Sequence, residues 1–139
     1  MDIDQDRYQA ALLRSALAAK HKKGKRNMKK VMISQPLAGK TEKEIAEVRN
    51  RAIAALEAKG YEVQNILFSE LWKDRESLAA CGVVHVPIHF LARAIDGMSR
   101  CHTVYFCEGW QNARGCRIEH TVALSYGTEI LYEGDEANG

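Results

Sequence analysis

Apolar and polar residues divide this chain into two kinds of segment. Short apolar runs such as Lys30–Ser34 and His102–Phe106 are typical of strands buried on both faces of a sheet. Longer segments with apolar residues three and four positions apart follow these runs and predict amphipathic helices. Alternating strands and helices predict an α/β fold with a parallel sheet covered by helices on both faces.

The first helix has the clearest boundaries. Thr41 followed by Glu44 is the signature of a capping box, and Gly60 is a typical helix stop. The strand Lys30–Ser34 before this helix and the strand Tyr61–Leu67 after it predict a βαβ unit. The apolar face of the helix is expected to contain Ile45, Val48, Ala52, Ile53 and Leu56.

The remaining elements follow the same pattern. Ser69–Gly82 predicts a short helix or a lid over the sheet, and Pro87 opens a helix that runs to about Arg100. Ala113–Tyr126 predicts the last main helix, and Thr128–Tyr132 predicts a fourth strand. The Pro87 helix is expected to turn Ile88, Leu91, Ala92, Ile95 and Met98 inward.

The expected strand order, 2-1-3-4, places a ligand crevice at the carboxyl ends of strands 1 and 3. The loops leaving those two ends are Ser34–Thr41 and Cys107–Cys116. We expect them to face each other, each leading into a helix N-terminus suited to an anion.

The first loop resembles the end of a phosphate-binding P-loop at Gly39, Lys40 and Thr41. That motif also needs a glycine five positions before Gly39, where this chain has Ser34, so an NTPase is rejected. Backbone amides helped by Ser34, Lys40 or Thr41 would still suit a phosphate or a sugar. Thr41 is equally explained as a helix cap.

The second loop combines an aromatic ring, an amide and two cations. Trp110 and Asn112 suit recognition of a nucleobase, and Arg114 and Arg117 suit a phosphate. Each residue has an ordinary explanation as a partly buried hydrophobe or a surface residue. Their crowding within one loop at a strand end favours a binding site.

Glu119 lies near the beginning of the last helix, where the helix field favours an ionised carboxylate. Such a group would serve as a nucleophile or as a ligand clamp, and a capping or surface glutamate is the alternative. The neighbouring His120 points about 100° away around the helix, so it is a poor base for Glu119.

Composition narrows the class of protein. The chain has 139 residues, of which 46% are hydrophobic and 27% charged, as expected for one soluble globular domain. No apolar run approaches the roughly 20 residues that span a bilayer, and the acidic N-terminus is unlike a signal sequence, so a cytoplasmic protein without membrane contact is expected. A net charge of +2 is too small to argue for nucleic acid.

No metal or cofactor is expected. His85 and His89 are four residues apart, but Pro87 places His85 at or before the helix start, and no third ligand has a suitable spacing. The cysteines show no metal-binding or disulfide pattern and are interpreted as buried thiols: Cys81, Cys101, Cys107 and Cys116.

Residues 1–27 differ from the domain that follows at 28–139. They combine an apolar stripe at helical spacing with the basic run His21–Arg26. The segment is interpreted as an oligomerisation helix, a basic arm for nucleic acid, or sequence translated from an upstream start. Only the charge pattern supports nucleic-acid contact.

The motifs ISQPLAGKT, FLARAIDGMSRCHTVYF, GWQNARGCRIEH and ALSYG together resemble the nucleoside 2-deoxyribosyltransferase-like superfamily, most closely an uncharacterised phage and bacterial branch. The resemblance covers Lys30–Glu133. It implies a flavodoxin-like Rossmann fold, here a three-layer sandwich with a parallel sheet of four to five strands in the order 2-1-3-4(-5). It also implies a homodimer or larger homo-oligomer, because relatives build their sites at subunit contacts.

The resemblance further implies chemistry at the N-glycosidic bond of a 2-deoxyribonucleoside or its 5′-monophosphate. Glu119 matches the nucleophile of the superfamily, and Gly115 matches a glycine four residues before it. The segment Ser34–Gly39, which includes Gln35, corresponds to the lining of the sugar pocket. Gly109 opens the loop that would carry the base contacts.

Three positions depart from the superfamily pattern. Ala113 stands where the transferases carry an acidic residue that handles the base, and His120 stands where glycine is common. The sugar-orienting aspartate falls at about Ala94, and the candidate Asp96 is two residues on, a helical rotation of about 200°. These departures question base transfer more than the fold. They leave a non-catalytic nucleotide-binding module, a sensor or a sequestering protein, as the competing interpretation.

Overall fold

The computed structural model describes residues 28–64 and 75–135. The strands are β1 (Lys30–Ser34), β2 (Glu62–Gln64), β3 (Thr103–Phe106) and β4 (Glu129–Tyr132). The helices are α1 (Glu42–Ala58), α2 (Arg75–Ala80), α3 (Val86–Met98) and α4 (Arg114–Tyr126), with a 3-10 turn at Trp110–Asn112. The predictions for residues 1–27 and for 65–74 lie outside the described residues.

The described strands form one parallel sheet in the order β2-β1-β3-β4. In the central pair, Val31 aligns with Thr103 and Ser34 aligns with Phe106, so the carboxyl ends of β1 and β3 lie side by side. The fold is the flavodoxin-like three-layer α/β sandwich that was predicted, including its strand order. A fifth strand is absent from the described part of the chain.

Each face of the sheet has its own core. On one face, Val31 and Ile33 of β1 and Tyr105 of β3 pack with Ala52 and Leu56 of α1. On the other face, the packed residues come from β1, β3, α3 and α4: Met32, Met98, Val104, Phe106 and Ala123. Alternate residues of one strand therefore serve opposite faces, as the pleat requires.

The predicted capping box begins α1. Thr41 Oγ1 accepts a hydrogen bond from the Glu44 N–H at 3.1 Å, and the Glu44 carboxylate accepts one from the Thr41 N–H at 3.1 Å. At the other end, the chain turns at Gly60 with φ of +88°. The boundaries expected from the sequence are confirmed to within two residues.

The inward face of α3 agrees with the prediction at Ile95 and Met98, which pack into the core, and differs from it elsewhere. Ile88 is 61% exposed and Ala92 is also exposed, whereas the buried residues are Ala94, Gly97 and Met98. The helix thus packs on the sheet through its C-terminal half. Gly97 permits the close approach, because a Cβ there would lie 3.3 Å from Met32 Sδ.

Candidate functional site

The two crevice loops meet at the carboxyl edge of the sheet. The Cys107 N–H donates to the Ser34 carbonyl at 2.9 Å, which extends the pairing of β1 and β3 into the loops. Gly109 has φ of +89°, a left-handed conformation, and a Cβ there would lie 3.6 Å from Pro36 Cγ. The expected apposition of the two loops is therefore present.

The pleat sends neighbouring residues of the first loop to opposite faces of the sheet. Ser34 faces α4, where it lies close to Cys116 and Glu119. Gln35 faces α1, where it bonds to Ile45 and Arg49. The loop therefore contributes to two separate polar clusters.

The cluster on the α4 side has Glu119 at its centre. Its side chain is 7% exposed and that of Ser34 is 2% exposed. Ser34 Oγ lies close to the Glu119 carboxylate but makes no hydrogen bond of good geometry to any described residue. Gly115 leaves room beside the carboxylate, because a Cβ there would lie 3.6 Å from Glu119 Oε2. A buried acid next to an unpartnered hydroxyl is an arrangement that a ligand would complete.

The electrostatic expectation for Glu119 was wrong. Burial raises the pKa of the Glu119 carboxyl to about 7, and the neighbouring Ser34 hydroxyl lowers it only in part. Helix α4 begins at Arg114, so Glu119 lies in the second turn, where the helix field has weakened. Loss of water around the carboxylate outweighs that field. Burial excludes a surface glutamate, and the absence of any side-chain cap on α4 excludes a capping one.

The cluster on the α1 side contains Arg49, which sequence reasoning missed. Arg49 is 4% exposed, and burial lowers the pKa of its guanidinium to about 10. Its Nη1 donates to Gln35 Oε1 at 3.1 Å, and Gln35 Nε2 donates to the Ile45 carbonyl at 3.1 Å. Gln35 thus joins the first loop to α1. The sequence did contain a signal for this role, because Arg49 is a cation on the same helical stripe as the buried Ile45 and Ala52.

Two buried thiols flank these clusters. Burial raises the pKa of Cys107 to about 12 and that of Cys116 to about 11. Both remain protonated at neutral pH, which makes them weak nucleophiles. Cys81, by contrast, is exposed, and Cys101 is half-buried, so the interpretation of all four as buried thiols holds only in part.

Trp110 packs within an aromatic cluster. Its ring stacks on His120 with centroids 4.0 Å apart, and Phe106 and Tyr132 lie within 6 Å of it. His120 Nε2 and the Tyr132 hydroxyl share a hydrogen bond of 2.7 Å. His120 is therefore engaged with Trp110 and Tyr132. Tyr132 is a second residue that sequence reasoning did not include in the site.

The two helix N-termini of the crevice are different. That of α1 is capped by Thr41 and carries two acidic residues in its first turn. That of α4 has no side-chain cap and no acidic residue in its first turn, and the exposed Arg114 and Arg117 belong to it. Only the α4 terminus is electrostatically suited to an anion. Gly39 and Lys40 are exposed in the first loop, and Asn112 is exposed in the second.

Asp96 bonds within its own helix and not to either polar cluster. Its carboxylate accepts a hydrogen bond from Arg100 Nε at 3.2 Å on the same helix, and its side chain is 46% exposed. The structure gives no contact between Asp96 and Glu119, and its catalytic role stays a prediction. His85 occupies the N-cap position of α3, as the position of Pro87 indicated, but its side chain makes no capping hydrogen bond.

The described residues contain neither a cluster of metal ligands nor a membrane-spanning helix. No group of three or more histidine, cysteine, aspartate or glutamate side chains there could hold a metal ion. Within the same ranges, no helix combines the length and apolar character needed to cross a membrane.

Residues 29–132 match the family described as Domain of unknown function (DUF4406). The chain belongs to this family. The DUF4406 match spans the chain from β1 to β4 and includes both crevice loops and Glu119. No curated protein and no solved structure matches the chain. The family description states no activity.

Proposed function

We propose that this DUF4406 protein cleaves or exchanges the N-glycosidic bond of a 2-deoxyribonucleoside or its 5′-monophosphate, with Glu119 as the nucleophile. The observation that carries the proposal is the buried Glu119 carboxylate beside the unpartnered Ser34 hydroxyl at the carboxyl edge of β1. The resemblance to the nucleoside 2-deoxyribosyltransferase-like superfamily assigns the nucleophile to the same residue.

The reaction would proceed in two displacements. An ionised Glu119 oxygen attacks the anomeric carbon, the carbon–nitrogen bond breaks, and the base leaves with the bonding electron pair and takes up a proton from water. The resulting glycosyl ester is then attacked by water, which gives the free sugar, or by a second base, which gives a new nucleoside. Either step returns the Glu119 carboxylate.

The surrounding residues supply binding. Ser34 and Gly39 would contact the sugar or phosphate, and Lys40 would add a cation at the first loop. Arg114, Arg117 and the uncapped start of α4 suit a 5′-phosphate, which Gly115 allows to approach the backbone. Trp110, Gly109 and Asn112 would contact the base.

One observation favours the competing proposal of a non-catalytic nucleotide-binding module. Position 113 is alanine, so a carboxylic acid that would protonate the departing base is missing from the place where the transferases carry it. A sensor or sequestering protein would need the anion-binding terminus of α4 and the crevice but no proton donor.

Base release separates these proposals. The protein is incubated with individual 2-deoxyribonucleosides and their 5′-monophosphates, and free base is measured by chromatography. We expect release by the wild type, loss of at least about a hundredfold in Glu119→Gln because the nucleophile is removed, and no change in Glu47→Gln, an exposed control on α1. Ligand-induced thermal stabilisation without any base release would instead support the binding module.

We also propose a homodimer or larger assembly. The support is the resemblance, together with exposed apolar side chains such as Val84, Leu124 and Tyr126. Light scattering should report at least twice the monomer mass, and a monomer at all concentrations would contradict this.

A further inference from the structure

A second concavity lies at the carboxyl ends of β3 and β4. It is an open pocket of about 310 Å³, and its lining includes Phe106, Trp110 and Tyr132 together with Glu108 and Glu133. Neither Ser34 nor Glu119 belongs to that lining. The volume falls at the small end of the range for sites that bind small molecules.

The wall of this pocket is aromatic. The rings of Trp110 and Tyr132 are within 25° of parallel with centroids 5.8 Å apart, and Phe106 packs against both. The Tyr132 hydroxyl is engaged with His120, so the tyrosine offers its ring surface. Such a surface attracts a flat ring by stacking.

The charged groups of the pocket are hydrogen-bond acceptors. Glu133 Oε1 accepts from the Glu108 N–H at 2.8 Å and Oε2 accepts from Arg51 at 3.0 Å, which fixes this carboxylate at the rim. The Glu108 carboxylate is exposed and has no partner among the described residues. Arg51 balances the charge of Glu133, so the exposed Glu108 carboxylate is the acceptor left at the rim for a group that donates hydrogen bonds.

We infer that this pocket binds a planar heteroaromatic ring bearing an amino group, stacked on Trp110 and Tyr132 with its amino group donating to Glu108. Adenine and cytosine have this chemistry, whereas hypoxanthine and uracil carry an oxygen in place of the amino group. In the proposed reaction the ring would be the base, and only that assignment rests on the proposed function. Ring binding itself does not require glycosidic chemistry.

Tryptophan fluorescence tests the inference directly. The chain has two tryptophans, so Trp72→Phe leaves Trp110 as the single reporter. In that background we expect saturable quenching by adenine or cytosine, and binding about tenfold weaker for hypoxanthine or uracil. Glu108→Gln should weaken adenine or cytosine binding about tenfold, and Glu57→Gln, an exposed control on α1, should leave it unchanged.

Three results would overturn the inference. They are the absence of saturable quenching by both amino-bearing rings, equal affinity for the oxygen-bearing rings, and quenching by free arginine as strong as that by adenine. Adenine binding that persists while no nucleoside yields free base would leave the pocket assigned and the proposed reaction rejected. Base release without ring selectivity would support the proposed reaction and reject the assignment of this pocket.

Discussion

At the scale of single residues, Glu119 and Ser34 show how burial changes the chemistry of a side chain. Glu119 differs from an ordinary surface glutamate because its carboxylate has lost most of its water, which raises its pKa to about 7. Ser34 is the neighbouring group that counteracts this effect. The pair therefore links the pH of the solution to both stability and the proposed reaction.

Stability should fall as pH rises from about 4.5 to about 7. The folded protein keeps the Glu119 proton through this interval, whereas the unfolded chain, with the ordinary pKa of 4.5, releases it. The loss attributable to Glu119 is on the order of 3 kcal/mol. Denaturant unfolding across this range should show the fall in the wild type and a smaller one in Glu119→Gln. Parallel profiles for the two proteins would contradict the burial argument.

Replacing Ser34 should move the same titration. Ser34→Ala removes the hydroxyl that lowers the pKa of Glu119, so the carboxyl should titrate at a higher pH than in the wild type. If Glu119 is the nucleophile, the rising limb of base release against pH should move in the same direction, because the ionised form attacks. Carbon-13 NMR of the glutamate carboxyls measures the titration without any activity, and an unchanged midpoint would exclude the interaction.

At the scale of elements, the two helices that begin at the crevice differ in how the backbone N–H groups of their N-termini are satisfied. Helix α1 satisfies its own terminus with Thr41 and Glu44, whereas α4 has no side-chain cap and carries Arg114 and Arg117. The first arrangement stabilises a helix, and the second leaves backbone N–H groups for a ligand. The helix that could be located most securely from sequence is thus the less suited to binding.

Removing the cap of α1 should cost stability but not ligand binding. Thr41→Ala loses the bond from the Glu44 N–H and should lower the free energy of unfolding by about 1 kcal/mol, whereas Thr41→Ser should retain most of it. Nucleotide-induced thermal stabilisation should persist in both variants. If Thr41→Ala alone lost this thermal stabilisation, the phosphate site would be assigned to the N-terminus of α1 instead of that of α4.

At the scale of the whole molecule, helix α1 holds both crevice loops. Arg49 bonds to Gln35 of the first loop. Arg51 bonds to Glu133, whose other carboxylate oxygen accepts from the N–H of Glu108 in the second loop. These contacts join segments far apart in the sequence and fix the edge where the proposed site lies.

Gln35 should therefore prove structural rather than ligand-binding. Gln35→Ala removes an acceptor of the buried Arg49 guanidinium and should lower the free energy of unfolding by about 2 kcal/mol. The exposed Gln111→Ala should change it by less than about 0.5 kcal/mol. Stability is measured by urea unfolding. Equal stability of the two variants would contradict a structural role and favour the substrate contact that the sequence predicted for Gln35.

The sequence by itself determined the α/β class, the strand order, the capping box of α1 and the two loops at the sheet edge. These features follow from local periodicity, capping residues and the topological rules of parallel sheets. Glu119 was a candidate because of its position near the start of the last helix, and the resemblance matched it to the nucleophile and added Gly115. Tertiary structure alone decided that Glu119 is buried beside Ser34, that Gln35 turns to Arg49, and that Trp110 packs with His120 and Tyr132. The physical reason is that burial and side-chain pairing depend on which distant segments the sheet brings together, and local patterns do not encode those distances.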